Sequence, residues 1–244
     1  MNIYHRTELG KLYKNDTIEV MKTLPDNSVD IIITDPPYGV IGTSDGYNQE
    51  WDTFESESHF WEFTTEWLNQ CYRIMKDGAP MYIFFAQKRM FDLKNVLDKC
   101  NFTFKRMLIW HHPNLARPTR NMYIWTYDPI FYVIKGKKPN YFDASFTQKE
   151  NVDVFRYAKP QNWRNGKKRL HPCEKPLELI KILITNSSQM EDMVVDPFGG
   201  SGTTAIASEE LGRRWITMEL DEEYCETIKT RFSSKHPQMR LDEC

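Results

Sequence analysis

Asp192–Tyr224 reads DMVVDPFGGSGTTAIASEELGRRWITMELDEEY. A short apolar run, Asp192–Asp196, leads into a glycine-rich turn, and a helix is predicted over 202–211 behind it. A second apolar strand follows at 214–220, then a last helix from Asp221. Within the turn, Gly200-Ser-Gly202-Thr-Thr-Ala205 fits the G-x-G-x-x-G/A pattern, and Glu219 stands 19 residues beyond Gly200. In strand–turn–helix units of this kind the glycines let the backbone approach a nucleotide-type ligand, and the acid on the next strand receives ribose hydroxyls. A glycine-rich turn by itself is no more than a tight strand–helix connection; the strand, helix and acid in register make it a binding unit.

A P-loop is excluded because no Gly-Lys-Ser/Thr follows the glycines. A nicotinamide dinucleotide enzyme is the rival reading. Two residues favour S-adenosylmethionine. Asp196, just before the turn, would oppose a pyrophosphate but suits a cationic amino-acid group, and Phe198 supplies an apolar wall.

A second segment, Ser28–Gly39 (SVDIIITDPPYG), places Asp35-Pro36-Pro37-Tyr38 at the carboxyl end of a near-continuous apolar strand, as expected of a strand buried on both faces. Ligands of open α/β sheets sit at that edge. The residue types suit methylation of a base amino group, whose lone pair is delocalised into the ring. The Asp35 carboxylate and the Pro36 carbonyl are acceptors for its two hydrogens. The prolines stiffen the turn and carry no competing N–H, and Tyr38 is placed to stack on an extruded base. If this strand lies beside 192–196, both segments face one pocket.

Between the segments, apolar positions Phe60, Phe63, Trp67, Cys71 and Ile74 predict a helix over 59–76. Strands are predicted at 80–86, 104–111 and 129–135, with helices near 88–100 and 175–188. Residues 112–128 and 136–170 read as irregular. Alternating elements point to a doubly wound, mostly parallel α/β sheet.

The net charge is −2, but it is unevenly spread: Ile41–Glu66 holds seven acids and no Lys or Arg, whereas Arg156–Lys175 holds seven Lys or Arg and one acid. A basic patch, not the total, decides where a polyanion docks. Five cysteines without a CxxC pair read as free thiols of a reducing, cytoplasmic compartment. No signal-peptide pattern or membrane-length apolar run is seen. His111-His112 and His171-x-Cys173 do not form a zinc pattern, so no metal is expected. The glycines of Gly39–Phe54 allow a lid over the pocket.

TDPPYG, HPCEKPLELI and DPFGGSGTT together resemble the signature segments of amino-methylating DNA methyltransferases, with the catalytic segment first and the cofactor segment last, which is similar to the β-group order. The resemblance runs from Tyr13 to Phe232. It implies a circularly permuted, seven-stranded Rossmann-like methyltransferase fold, a single domain over 1–244 and a target-recognition insertion at 112–170. It implies S-adenosylmethionine as cofactor, bound by Asp16, Asp35, Lys175, Asp196, Phe198, Gly200, Ser201, Gly202, Thr203 and Glu219. Asp35, Pro36, Pro37 and Tyr38 are the implied catalytic residues. Arg117, Arg120, Arg164, Lys167, Lys168, Arg169 and His171 are the expected contacts to double-stranded DNA. Asp before Pro-Pro favours adenine N6 over cytosine N4; methylation of RNA or of a protein amide is the further alternative. Asp128 stands where many relatives have Glu, and Gly199 where they vary. A homodimer and a cognate restriction endonuclease are partners that the resemblance brings to mind, and no membrane is expected.

Neutralising Lys167, Lys168 and Arg169 together should weaken binding to duplex DNA and flatten its dependence on salt, because each phosphate contact releases counterions. Titration at two or more salt concentrations checks this; an unchanged slope counts against the basic segment as the DNA contact.

Overall fold

The computed structural model describes residues 2–39, 52–112, 121, 123–143, 145, 152–160 and 174–235. In chain order these form β1 (Ile3–Arg6), β2 (Gly10–Lys14), α1 (Thr17–Thr23), β3 (Ile31–Thr34), α2 (Glu57–Ile74), β4 (Pro80–Phe84), α3 (Met90–Lys99), β5 (Phe102–His111), β6 (Tyr127–Lys135), β7 (Val154–Arg156), α4 (Leu177–Ser187), β8 (Met193–Asp196), α5 (Thr203–Glu210), β9 (Arg214–Glu219) and α6 (Glu222–Lys235). One sheet holds all the strands in the order β1-β2-β9-β8-β3-β4-β6-β5-β7. The five strands from β2 to β4 run parallel, β6 is antiparallel to both its neighbours, and β1 is antiparallel to β2.

The strand at the catalytic segment and the strand at the glycine segment are neighbours. Ile31 and Ile32 of β3 pair in parallel with Val194 and Val195 of β8. From this central pair the connections diverge: β8 leads through α5 to β9 on one side, and β3 through α2 to β4 on the other. The carboxyl ends of β3 and β8 therefore flank the point where strand order reverses, where a crevice opens in sheets of this kind.

Strand alternation divides the core between the two faces. Ile32, Met81, Ile83, Phe131, Val133 and Val195 join the apolar residues of α1, α2 and α3. Their neighbours Ile31, Ile33, Tyr82, Phe84, Ile130, Tyr132 and Val194 join α4. Beyond them Leu12 and Trp215 pack with α5 and α6. Helix starts follow local chemistry: Asp16 caps α1 through a 3.0 Å bond from the Glu19 N–H, and Ser56 caps α2 through a 3.1 Å bond from the His59 N–H. Cys71, Cys100 and Cys225 are buried free thiols. No helix among the described residues is long and apolar enough to cross a membrane.

Among the described residues the sheet has nine strands where seven were expected. The added β1 and β7 are short edge strands of four and three residues, and β7 lies inside the stretch that reads as irregular. At three and four residues they are too short for a periodic pattern to show, and pairing to a formed sheet supplies what local sequence does not. The helix α1 likewise goes unread, because it has only seven residues.

Ile32 is fully buried at the centre of the sheet. Ile32→Ala should destabilise the fold by about 2–5 kcal/mol, read as a lower urea midpoint with unchanged slope.

Candidate active site

The carboxyl edge of the sheet sets a sequence of side chains in strand order. Asp16 follows β2, Glu219 ends β9, Asp196 ends β8, Asp35 follows β3, Phe84 ends β4, and Asp128 and Trp110 face each other across β6 and β5. All of them line one cavity of about 950 Å³. Asp35–Tyr38 form its middle, Phe198–Ser201 and Thr203 lie towards one end, and Trp110, Trp125 and Lys159 lie towards the other.

At the glycine end, the chain folds back on its own sheet. The Gly199 N–H donates to the Met218 carbonyl (2.7 Å) and the Gly202 N–H to the Gly199 carbonyl (2.7 Å). Gly202 has φ +75°, and a Cβ there would stand 2.8 Å from Ile228. It turns the chain into α5 without itself forming a wall of the cavity. Gly199 is also constrained, since a Cβ would lie 2.6 Å from the Thr217 hydroxyl. No side chain caps α5, so the first-turn N–H groups beside Ser201, Thr203 and Thr204 form an end suited to a carboxylate. Phe198 is held from behind by Trp67 and Phe63, at ring distances of 5.5 and 6.1 Å.

Glu219 accepts the Gly200 N–H on one oxygen (2.8 Å) and the Leu220 and Asp221 N–H groups on the other (2.8 and 2.9 Å). Burial still holds its carboxyl above the usual range. Asp16 spends one oxygen on the α1 cap and stands next to Glu219, because the Asn15 N–H reaches the Glu219 carbonyl (3.2 Å).

Asp196 is 5% exposed. Burial pushes its carboxyl up to about 7, against the pull of the Thr204 hydroxyl and the Phe198 N–H, and the nearby Asp35 charge adds to the rise. A cation brought beside it would relieve this. The buried acid, the glycine cradle and the apolar Phe198 together fit S-adenosylmethionine, which carries both an ammonium and a sulfonium.

Asp35 is bonded on one oxygen by the Tyr38 hydroxyl and on the other by the Lys175 ammonium. Lys175 also lies 5.2 Å from the centre of the Phe84 ring. Lys175, expected among the cofactor contacts, is thus engaged by the Asp35 carboxylate. Asp128, whose role the sequence leaves open, faces the cavity with Lys159 at 3.6 Å and His112 at 3.7 Å; burial raises its carboxyl while Lys159 and Lys175 oppose the rise. Lys159 sits 4.2 Å from the centre of the Trp125 ring. Trp110, Trp125 and Phe84 escape sequence reasoning because nothing marks these aromatics as cavity walls until β4, β5 and β6 are placed in order, and Lys159 stands out in sequence only as part of the basic stretch Arg156–Lys175. Arg117, Arg120, Arg164, Lys167, Lys168, Arg169 and His171 lie outside the described residues, as does most of the Gly39–Phe54 segment.

The family model described as DNA methylase matches residues 29–230, which span both signature segments. The chain belongs to the DNA methylase family. It is 31% identical to the type II methyltransferase M2.MboI of Moraxella bovis, over 94% of this chain and 89% of that protein. It is 32% identical to the type II methyltransferase M.BamHI of Bacillus amyloliquefaciens over 98% of this chain, and spans 60% of that longer protein. Among solved structures, the PvuII DNA methyltransferase (cytosine-N4-specific) shares the fold with a TM-score of 0.79 at 18% identity, covering 94% of this chain and 88% of that one. The M1.HpyAVI–SAM complex matches with a TM-score of 0.68 at 26% identity, over 91% and 99% of the two chains.

The raised Asp196 gives a pH test in this DNA methylase without cofactor. An acid whose folded pKa lies above its unfolded value of about 3.9 stabilises the fold fully below that value. The contribution is lost as pH rises towards about 7. Asp196→Asn, which mimics the neutral acid, should therefore gain stability over wild type as pH rises from 5 to 8, by an amount on the order of a few kcal/mol. Denaturation at several pH values checks this; a difference independent of pH contradicts it.

Proposed function

We propose that this chain methylates the N6 amino group of adenine in duplex DNA, within the amino-methylating DNA methyltransferase activity of its family, for which S-adenosylmethionine is the methyl donor. When bound, that donor supplies a methyl group on a sulfonium that carries its own leaving group. The chain's residues do the rest by placement.

The observation that carries the reading is Asp35, which follows β3 between the glycine turn and the aromatic end of one cavity. Among the described residues its two oxygens are each taken once, by Tyr38 and by Lys175. Each retains a second acceptor direction, so one amino hydrogen of an everted base has a partner there and the Pro36 carbonyl accepts the other. With both hydrogens bonded, the nitrogen lone pair turns out of the ring plane towards the methyl group. The proton lost on transfer passes from the amino nitrogen towards Asp35 or water. Tyr38, held edge-on to Phe85 at 5.5 Å, and the Trp110–Trp125 end offer faces on which a base can stack.

An aspartate before Pro-Pro favours adenine by the resemblance given above. Cytosine N4 is the second reading, favoured by the likeness in fold to a cytosine-N4-specific enzyme. The alternatives of RNA and of protein amide lose ground to the DNA methylase relationship. The further readings are a target-recognition region at 112–170, DNA contacts from the basic segment, and the restriction partner suggested by type II relatives.

Digestion of DNA methylated by the protein, with mass identification of the nucleosides, should give N6-methyladenine; N4-methylcytosine alone contradicts the reading. Asp35→Ala should reduce transfer by at least about 100-fold with the fold retained. Near-normal transfer by a folded variant removes Asp35 from the mechanism.

A further inference from the structure

The Asp35–Tyr38 turn has one end fixed by the sheet, where Thr34 pairs with Ile83 of β4. Pro36 and Pro37 have fixed φ. The turn leads into Gly39, whose two polar groups are both taken by charged side chains. The Asp52 carboxylate accepts the Gly39 N–H at 2.7 Å, in a buried setting. An Arg89 nitrogen donates to the Gly39 carbonyl at 2.7 Å.

Arg89 is itself held. Both its terminal nitrogens bond the two oxygens of Glu57 at the start of α2, one of them at 3.0 Å, and its guanidinium lies 5.0 Å from the Phe60 ring centre and 5.8 Å from that of Trp61. Glu57 also accepts the Trp61 indole N–H at 2.9 Å. Gly39 has φ +66°, and a Cβ there would meet the Phe60 ring at 2.5 Å. The backbone at residue 39 is thus locked by a charge on each side and a ring beneath it.

We infer that Asp52 and Arg89 are positioning residues for methyl transfer: acting through the Gly39 backbone, they hold the Pro36 carbonyl and the Asp35 carboxylate where the amino group must meet them. The inference rests on the role given above to Asp35–Tyr38. The cofactor end of the cavity is built from β2, β8 and β9, on the other side of β3 from Arg89. Loosening Gly39 should therefore slow transfer far more than it weakens cofactor binding, most of whose expected contacts lie on or just after β8 and β9.

The test uses the full chain, amplified genomic DNA free of base modification, and S-adenosylmethionine. Single-turnover methyl transfer and calorimetric cofactor affinity without DNA are measured for Asp52→Ala, Asp52→Asn and Arg89→Lys. Asp52→Ala should transfer about 10- to 100-fold more slowly, the scale of a misplacement near 1 Å. Its cofactor Kd should stay within about twofold of wild type, as expected when an interaction is lost only in the transition state. Asp52→Asn, whose amide oxygen accepts the same N–H, should recover most of the rate.

Arg89→Lys keeps a positive charge beside Glu57 but lacks the fork that serves Glu57 and Gly39 together. It should repeat the slow transfer with unchanged affinity, and it carries the test if Asp52→Ala does not fold. A wild-type rate in either Asp52→Ala or Arg89→Lys overturns the inference, as does a loss of rate matched by an equal loss of cofactor affinity. Failure of the underlying reading looks different: Asp35→Ala would then transfer normally, and an error in the base alone would change the nucleoside formed while leaving the variant-to-wild-type ratios as stated.

Discussion

Parallel pairing of Ile31–Ile32 with Val194–Val195 is the constraint on which the active site depends. It places the ends of β3 and β8 side by side, and with them Asp35 and Asp196. Adding β9 brings a third carboxylate, Glu219, to the same edge. Three acids on adjacent strands repel one another, and each is accommodated differently. Asp35 takes Lys175 and the Tyr38 hydroxyl. Glu219 takes three backbone N–H groups. Among the described residues Asp196 takes no cation, its hydrogen bonds do not offset its burial, and it is inclined to hold its proton. A cation beside Asp196 would relieve this, and a positively charged methyl donor is suited to that place.

The same pairing divides the cavity in two. Strands β2, β9 and β8 carry the acidic and glycine-built end of the cavity, while β4, β6 and β5 carry Phe84, Asp128 and Trp110. Asp35 belongs to β3, at the boundary. The Asp35 carboxylate thus meets both halves, and the rigid turn behind it need only present its acceptors. Asp128 with Lys159 places a charged pair at the aromatic end, beside the Trp125 ring.

Much of this was legible in the sequence, for physical reasons that differ between elements. β3 and β4 are buried on both faces and read as apolar runs; α2 spans 18 residues and shows its period. The glycine turn and Glu219 are recognisable because ligand approach restricts residue types. β1, β2, β7 and α1 are too short or too exposed for such a pattern and form against an existing sheet. Lys175 was legible as a site residue but not as the partner of Asp35, which depends on α4 packing over β3 and β4. Asp52 and Arg89 reach Gly39 through its backbone, from 13 and 50 positions away. No residue type at Gly39 advertises those bonds, and only the folded chain brings them together.

The most direct test of this account is a crystal structure of the protein with a non-transferable analogue of S-adenosylmethionine. The account predicts the nucleoside against Asp16 and Glu219, the amino-acid group against Asp196 and the start of α5, and the position of the transferable methyl facing Asp35 and Pro36. An analogue bound at the Trp110–Trp125 end, or outside the cavity between β3 and β8, would contradict it.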